Sequence, residues 1–383
     1  MSTLQLNTLF SSEDFLKNYW QQKPVLLSEL IPDFKDPVTP EELAGLACEE
    51  LSESRLIKQL DSGSNELSHG PFAEQDFTCL PQTNWTLLVQ AVDQWVEDVA
   101  DVKRLFDFIP SWRVDDVMVS FAATGGGVGP HFDYYDVFLL QGQGQRHWKV
   151  GERCSSNVQL QPNSELGILE NFEQVTEYTL SAGDALYIPP RFAHWGVAQS
   201  DSLCYSIGFR APSVAEMIEG FSDFLMKEQD PAQRFEDTYC ASKVLPGEIG
   251  LGQLDASFQN LLSRFSDKSN FSHWFGCYVT QPKYPELIQP AEAPLNAGQS
   301  ISEFTLIKNP SSRFAFIESK PESCILLFVD GNMARFDMEN LKAISQLCDV
   351  TSLNSETINA LLKYKGMEEL LRLLVNQGSL QLI

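Results

Sequence analysis

"GGGVGPHFDYYDVFLLQGQGQRHW", residues 125–148, holds the residues on which both the fold and the chemistry turn. Four glycines and a proline run into His131-Phe132-Asp133, then into the apolar segment 137–140. Gly142-Gln143-Gly144 follows, and then Arg146, His147 and Trp148. The second half reads as a strand, a tight turn and a returning strand, because apolar, β-branched and aromatic runs broken by glycine fold back on themselves. A phosphate loop is excluded. No Lys-Ser/Thr pair follows the glycines, and Pro130 removes a backbone donor where a helix N-terminus would need one. The glycines are expected to bend the backbone at a barrel rim and leave room for a bound chain. Pro130 then fixes the entry to a strand carrying His131 and Asp133.

The same texture continues outward. "DVMVSFAAT", "EYTLSAGDALYIPP", "HWGVAQS" and "LCYSIGFR" are short runs separated by turn residues, a spacing that predicts an antiparallel barrel or sandwich. Upstream, "TPEELAGLACEE" opens a helix with Thr39 as cap, Pro40 at the first position and Glu42 closing a capping box. "WTLLVQAVDQWVEDVADVKRLF" repeats Leu88, Ala91, Val92, Trp95 and Val99 at three- and four-residue intervals, which predicts a further helix. Beyond Arg210, "APSVAEMIEGFSDFLMKEQDPAQRFEDTY" and "DASFQNLLSRF" are helical in period, and the Pro- and Ala-rich "QPKYPELIQPAEAPLNAGQS" reads as a connector. "EFTLIKN", "RFAFIES" and "CILLFVDG", followed by three short helical segments, make a small unit of winged-helix size. The expected class is α+β, with a barrel domain over 1–210, a helical region over 211–280 and a winged-helix-like domain over 281–383.

With 27 basic against 52 acidic side chains in 383 residues, the net charge is −25. Such a surface repels phosphate backbones and favours basic partners, so direct nucleic-acid binding is not expected. No apolar run reaches membrane length, and the opening residues lack the basic and apolar regions of a secretory signal. Eight cysteines stand singly with no CxxC, as buried thiols do in a reducing cytoplasm.

Five histidines are present. In a strand, positions i and i+2 share a face, so His131 and Asp133 are expected to converge inside the barrel. "GDALYIPPRFAHW", residues 183–195, reads as a tight turn, a strand, a Pro-Pro bend and then His194 at the start of another strand. Two imidazoles and one carboxylate are the donor set of a non-haem Fe(II) site that leaves positions open for a bidentate co-substrate and dioxygen. Arg146, directed into the barrel, needs a planar anion, and a carboxylate matches its fork. A dicarboxylate such as 2-oxoglutarate would chelate iron through its keto-acid end and rest its far carboxylate on Arg146, with the Ser120 hydroxyl adding a contact. Lys149 falls on the opposite face, and His147 is expected to point away from the metal.

"FLKNYWQQKPVLL", "GGGVGPHFDYYDVFLLQGQGQRHW" and "GDALYIPPRFAHW" together resemble the JmjC-type ribosomal oxygenases, and most closely the bacterial branch that hydroxylates an arginine of a large-subunit ribosomal protein. Specific motifs carry the resemblance from about residue 10 to 210, and the order of blocks carries the rest. It implies a double-stranded β-helix core of the cupin/JmjC kind with N-terminal helices, a helical dimerisation region that makes the protein a homodimer, and a C-terminal winged helix. It implies iron on His131, Asp133 and His194, and 2-oxoglutarate on Arg146 and Ser120. Many relatives place a lysine where Arg146 stands. The implied reaction hydroxylates an arginine β-carbon of a basic ribosomal protein and releases succinate and carbon dioxide. Tyr135 and Asp136, just past the metal pair, are expected to hold the guanidinium at the barrel mouth. The winged-helix segments lack clustered Arg and Lys, so that domain is expected to serve protein contacts or the dimer. Two other readings remain open: the same chemistry on His, Asn or Lys, or a cupin-like metal-binding module without oxygenase activity. Arg146 counts against the module, which has no need of a buried guanidinium near a metal.

Overall fold

The computed structural model describes residues 4–60, 65–155, 157–162, 165–228, 230, 232–236, 245–291, 295 and 299–383. Two units divide the chain, Met1–Ala211 and Pro212–Ile383. The first carries strands β1 (Val25–Leu27), β2 (Ser54–Gln59), β3 (Asn65–His69), β4 (Trp85–Val89), β5 (Val114–Ala122), β6 (Val137–Gln141), β7 (Arg146–Arg153), β8 (Gln174–Leu180), β9 (Ala185–Ile188), β10 (Phe192–Ala198) and β11 (Ser202–Phe209). Its helices are α1 (Ser12–Asn18), α2 (Pro40–Leu46), α3 (Glu74–Thr78) and α4 (Glu97–Arg104). A major sheet runs β1-β9-β6-β11-β5-β4-β2-β3, and a minor sheet runs β10-β7-β8. This is the cupin/JmjC architecture, with every pairing antiparallel.

The central strands β6, β9 and β11 of the major sheet are buried on both faces, which explains why β6 and β9 read as unbroken apolar runs. Val137 and Leu139 of β6 pack toward the minor sheet with Trp148, Val150, Leu180, Leu186, Ile188 and Cys204. Phe138 and Leu140 point the other way, into a larger core with Phe15, Phe106, Tyr187 and Tyr205. Each fully buried aromatic or aliphatic side chain there contributes about 1.5–3 kcal/mol. The inner core is small, and the small polar residues Ser120, Ser202 and Ser206 are buried on the strands around it.

The helix expected over 85–106 is corrected. Trp85–Val89 is strand β4, paired with β2 and with β5, where Leu88 lies opposite Ser120. Ala91, at φ 52°, breaks the chain before a short turn of helix at 92–94, and only then does α4 begin. The apolar spacing was compatible with either period. Pairing with two neighbouring strands outweighs helical propensity in a β-rich Trp-Thr-Leu-Leu-Val segment. At α2 the sequence reading holds: Glu42 N donates to Thr39 Oγ1, and Thr39 N donates to Glu42 Oε2 at 2.8 Å.

The glycines of the opening stretch do not leave space for a bound chain. A Cβ on Gly126 would sit 2.2 Å from the Trp85 carbonyl oxygen, and one on Gly127 would sit 2.3 Å from that of Gly196. Their role is close approach of backbones. Gly125 (φ +82°) and Gly129 (φ +104°) supply the bends.

In the second unit, α5 (Val214–Glu228) packs Phe221 and Leu225 against Trp274 of a later helix, Lys268–Val279. Between them Leu251–Phe265 forms a helix with Leu254, Phe258, Leu261 and Phe265 exposed. The winged-helix portion holds the sheet Phe314–Ser319, Cys324–Val329 and Asn332–Asp337. The third of these strands is not evident in the sequence, because its alternation of polar and half-buried residues is weak. Helices Leu341–Asp349, Ser355–Leu361 and Met367–Asn376 follow, and a final strand, Leu380–Leu382, returns to pair with Leu306–Lys308. Parts of the expected helical region (229, 231 and 237–244, with Cys240) and of the connector (292–294 and 296–298) lie outside the described residues.

Candidate metal centre

The segment expected to be a strand through His131 and Asp133 is held by a single bridge. His131 N donates to His194 O at 3.0 Å, and His194 N returns the bond to His131 O at 2.8 Å. Pro130 has no N–H with which to extend the ladder upstream. Its carbonyl accepts from Leu169 N, and Arg191 N donates to Asp133 O at 2.6 Å. The backbone is therefore tied on both sides of the pair.

These ties bring one ligand atom each of His131, Asp133 and His194 within 4.8 Å of one another, the one such cluster of His, Cys, Asp or Glu among the described residues. His194 Nε2 lies 3.6 Å from Asp133 Oδ2. Nδ1 of His131 faces Gly129 O at 2.9 Å, and Nδ1 of His194 faces Phe192 O at 3.0 Å. A carbonyl only accepts, so each Nδ1 is the donor and each Nε2 is the atom left to face a metal. Burial, and next the neighbouring His131, push the His194 pKa down to about 4 against the opposing pull of Asp133. The ring is therefore neutral near pH 7, the form that ligates metal. Two imidazole nitrogens and one carboxylate, gathered together, fit Fe(II) with coordination positions to spare.

Arg146 opens β7 on the same face as Trp148 and Val150. Across the strand pair, Ala198 stands opposite Arg146, Gly196 opposite Trp148 and His194 opposite Val150. The guanidinium and the metal ligands therefore share one face of the minor sheet. Gly196 is needed there, since a Cβ would lie 2.7 Å from the Trp148 ring. Arg146 is buried; Nη1 donates to Ser120 Oγ at 3.0 Å, and Nη2 to Ser202 O and Oγ at 3.3 and 3.2 Å. Nε has no partner. Burial lowers the Arg146 pKa from its ordinary value, and no carboxylate contributes to its surroundings. A desolvated cation without a counter-charge is costly. A carboxylate arriving from outside would supply the missing partner, so the residues present fit a dicarboxylate co-substrate.

On the other face, Lys149 Nζ lies 4.6 Å from the Trp195 ring centroid. His147 pairs with Thr179 and Glu177. Neither turns toward the metal ligands.

Of the two residues expected at the mouth, Tyr135 stays there. Its ring is exposed, while burial of the hydroxyl, and then the Asp133 carboxylate that it bonds, raise the phenol pKa. Asp136 is corrected. It has no exposed surface and accepts from Tyr187 Oη at 2.6 Å, Gln21 Nε2 at 3.1 Å and Arg113 Nη2 at 3.2 Å. Its carboxylate binds the outer side of the barrel to the N-terminal segment and is not available to a substrate. Burial raises its pKa, opposed by those three donors.

Two residues escaped the sequence reading. Ser202 completes the Arg146 cradle; its only trace was small polar residues at alternate positions in "SLCYSIGFR". Asp116 is buried on β5, accepts from Gln90 Nε2 at 2.9 and 3.0 Å, and lies close enough to Tyr135 to oppose its ionisation. Nothing in "VDDVMVS" separates it from Asp115.

Comparison with known proteins agrees with this geometry. Residues 101–217 match the JmjC domain family, and residues 261–381 match the ROXA-like winged helix. The chain is 36% identical to the ribosomal protein uL16 3-hydroxylase of Escherichia coli K12, over 95% of this chain and 96% of that one. It is 36% identical to a probable ribosomal oxygenase of Haemophilus influenzae, over 70% of this chain and 67% of the relative. The solved structure of YcfD, a ribosomal oxygenase from Escherichia coli, in complex with cobalt and 2-oxoglutarate superposes with a TM-score of 0.86 at 34% identity, covering 99% of both chains.

Proposed function

We propose an arginine hydroxylase, starting from the premise that the chain belongs to the JmjC-domain ribosomal oxygenases that carry a ROXA-like winged helix. It is a 2-oxoglutarate-dependent oxygenase that uses Fe(II) and dioxygen. On this reading its substrate is an arginine of ribosomal protein uL16, hydroxylated at the β-carbon; the Escherichia coli relative is named a ribosomal protein uL16 3-hydroxylase. The observation that carries the co-substrate assignment is Arg146, a buried cation with no carboxylate of its own beside a His-Asp-His cluster.

His131, Asp133 and His194 hold the iron through two Nε2 atoms and a carboxylate oxygen. When bound, the metal with 2-oxoglutarate and dioxygen supplies the oxidation, in which the co-substrate becomes succinate and carbon dioxide and one oxygen atom enters a C–H bond. Arg146 and the Ser120 hydroxyl hold the far carboxylate of 2-oxoglutarate, and the apolar lining of Val137, Leu139, Val150 and Ile188 keeps bulk water away. Tyr135 orients Asp133 from the mouth. Asp116, a buried carboxylate on β5 close to Tyr135, is assigned to receive the substrate guanidinium, whose fork a carboxylate matches. The net charge of −25 favours approach of a basic ribosomal protein.

We further propose a homodimer built on the helix Leu251–Phe265. Leu254, Phe258, Leu261 and Phe265 recur at helical spacing and are all exposed, a stripe that a second copy would cover. The proposed site of action is the cytoplasm, where a ribosomal protein is available as substrate. No described helix is long and apolar enough to cross a membrane.

The test is to incubate the protein with Fe(II), 2-oxoglutarate and unmodified uL16, then analyse the peptides by mass spectrometry. One added oxygen on an arginine is expected, and none with Asp133→Ala. Modification of a His, Asn or Lys instead would move the assignment to that residue. Absence of any oxygenated product with the parent protein would overturn the reading.

A further inference from the structure

We infer that Ser202 is a positioning residue for the co-substrate: by clamping one end of the Arg146 guanidinium, it decides which N–H groups meet the far carboxylate of 2-oxoglutarate. This rests on the assignment of Arg146 as the co-substrate's anchor and goes beyond it. Nη2 is committed to Ser202 alone, through the backbone oxygen at 3.3 Å and the hydroxyl at 3.2 Å. Nη1 donates to Ser120 Oγ at 3.0 Å and has a second hydrogen to offer. Because Ser120 Oγ accepts from Nη1, its own proton is available. Its present acceptor, Cys204 O, is 3.5 Å away, the weakest bond in the cradle. One Nη1 hydrogen, the unpartnered Nε–H and the Ser120 hydroxyl are thus left for a carboxylate, and they face it only while Nη2 stays fixed.

The two serines stand on neighbouring strands. Ser202 begins β11 opposite Ala122, and Ser120 lies opposite Cys204 two positions along. Both are buried, Ser202 with no exposed surface. A long, unpaired guanidinium can rotate about its last side-chain bonds, and no acidic residue stops it. Ser202 supplies that stop without neutralising the charge, which a carboxylate in its place would do.

The experiment titrates anaerobic Fe(II)-loaded protein with 2-oxoglutarate and follows the visible absorbance of the metal-bound keto acid, which requires no turnover. Ser202→Ala is expected to weaken binding about five- to twenty-fold, as loss of one charge-assisted hydrogen bond does. Its turnover at saturating 2-oxoglutarate should stay within about twofold of the parent. Ser202→Thr, which keeps the hydroxyl, should restore affinity, and Ser202→Cys, close in size with a weak acceptor, should not. In an Arg146→Lys background, where no planar fork remains to be oriented, Ser202→Ala should change affinity by less than about twofold. Unaltered affinity in both Ser202→Ala and Ser202→Cys overturns the proposal, as does an equal loss in the lysine background. If the parent itself develops no absorbance with 2-oxoglutarate, the oxygenase reading fails and takes this proposal with it.

Discussion

Replacing Arg146 by methionine separates stability from function, because the two should move in opposite directions. The guanidinium is buried beside hydroxyl and carbonyl oxygens and the Cys204 thiol but no carboxylate, with Nε unpartnered and burial lowering its pKa. Holding such an ion costs several kcal/mol even after relaxation, and its hydrogen bonds to Ser120 and Ser202 return part of that. Methionine fills most of the volume without charge, and both serine hydroxyls can turn to backbone oxygens. The net gain should be about 1–2 kcal/mol in the metal-free protein, or roughly 2–6 °C in the melting temperature of a unit this size. At the same time 2-oxoglutarate loses its ionic partner. Two charge-assisted bonds at about 1.5–2 kcal/mol each place the loss of affinity between one hundred- and one thousand-fold. Thermal melts without ligand and titration with 2-oxoglutarate measure the two effects independently. A lower melting temperature combined with undiminished co-substrate binding would refute the reasoning and make Arg146 a structural residue.

Asp136→Ala should act on stability alone. It strands the Arg113 guanidinium and the Tyr187 hydroxyl, costing about 3–5 kcal/mol, with the KM for ribosomal protein unchanged in the folded enzyme. Asp116→Asn should raise the KM for the arginine substrate about ten- to a hundred-fold and leave that for 2-oxoglutarate alone; equal change in both would remove Asp116 from substrate recognition. Gly196→Ala pushes a methyl into the Trp148 ring, which sits 6.0 Å from the His194 ring. Melts should show a loss of about 1–3 kcal/mol, and Fe(II) affinity should fall with it. Phe258→Glu or Leu261→Glu places a charge on the exposed apolar stripe of Leu251–Phe265 and should give a monomer in sedimentation. An undiminished dimer would show that the contact lies elsewhere.

The catalytic part of the chain was readable where local chemistry and tertiary position coincide. His131, Asp133 and His194 stand among glycine and proline signals that mark where the backbone must turn, and the structure gathers them. Arg146 was legible because alternation along β7 fixes its face once the turn at Gly144 is located. Asp136 failed for the opposite reason. Nearness in sequence to Asp133 suggested the mouth, yet where the chain enters β6 its side chain turns to Tyr187, Gln21 and Arg113, the first and last of which stand 51 and 23 positions away. Trp85–Val89 failed because apolar spacing of three and four residues also fits a strand buried on both faces, and only its partners β2 and β5 decide. Asp116 carries no local signature, and Ser202 only the alternation of small residues along its strand. Their significance arises from what lies across the barrel.

The reciprocal backbone bonds between His131 and His194 bear on how such an enzyme can diversify. Two ligands separated by more than sixty positions are joined at the peptide level, so the distance between their rings does not depend on the path of the chain connecting them. The described residues of that path between β7 and β8 lie outside the core strands. Its length and composition can drift, reshaping what approaches the mouth, while the metal's bite stays constant.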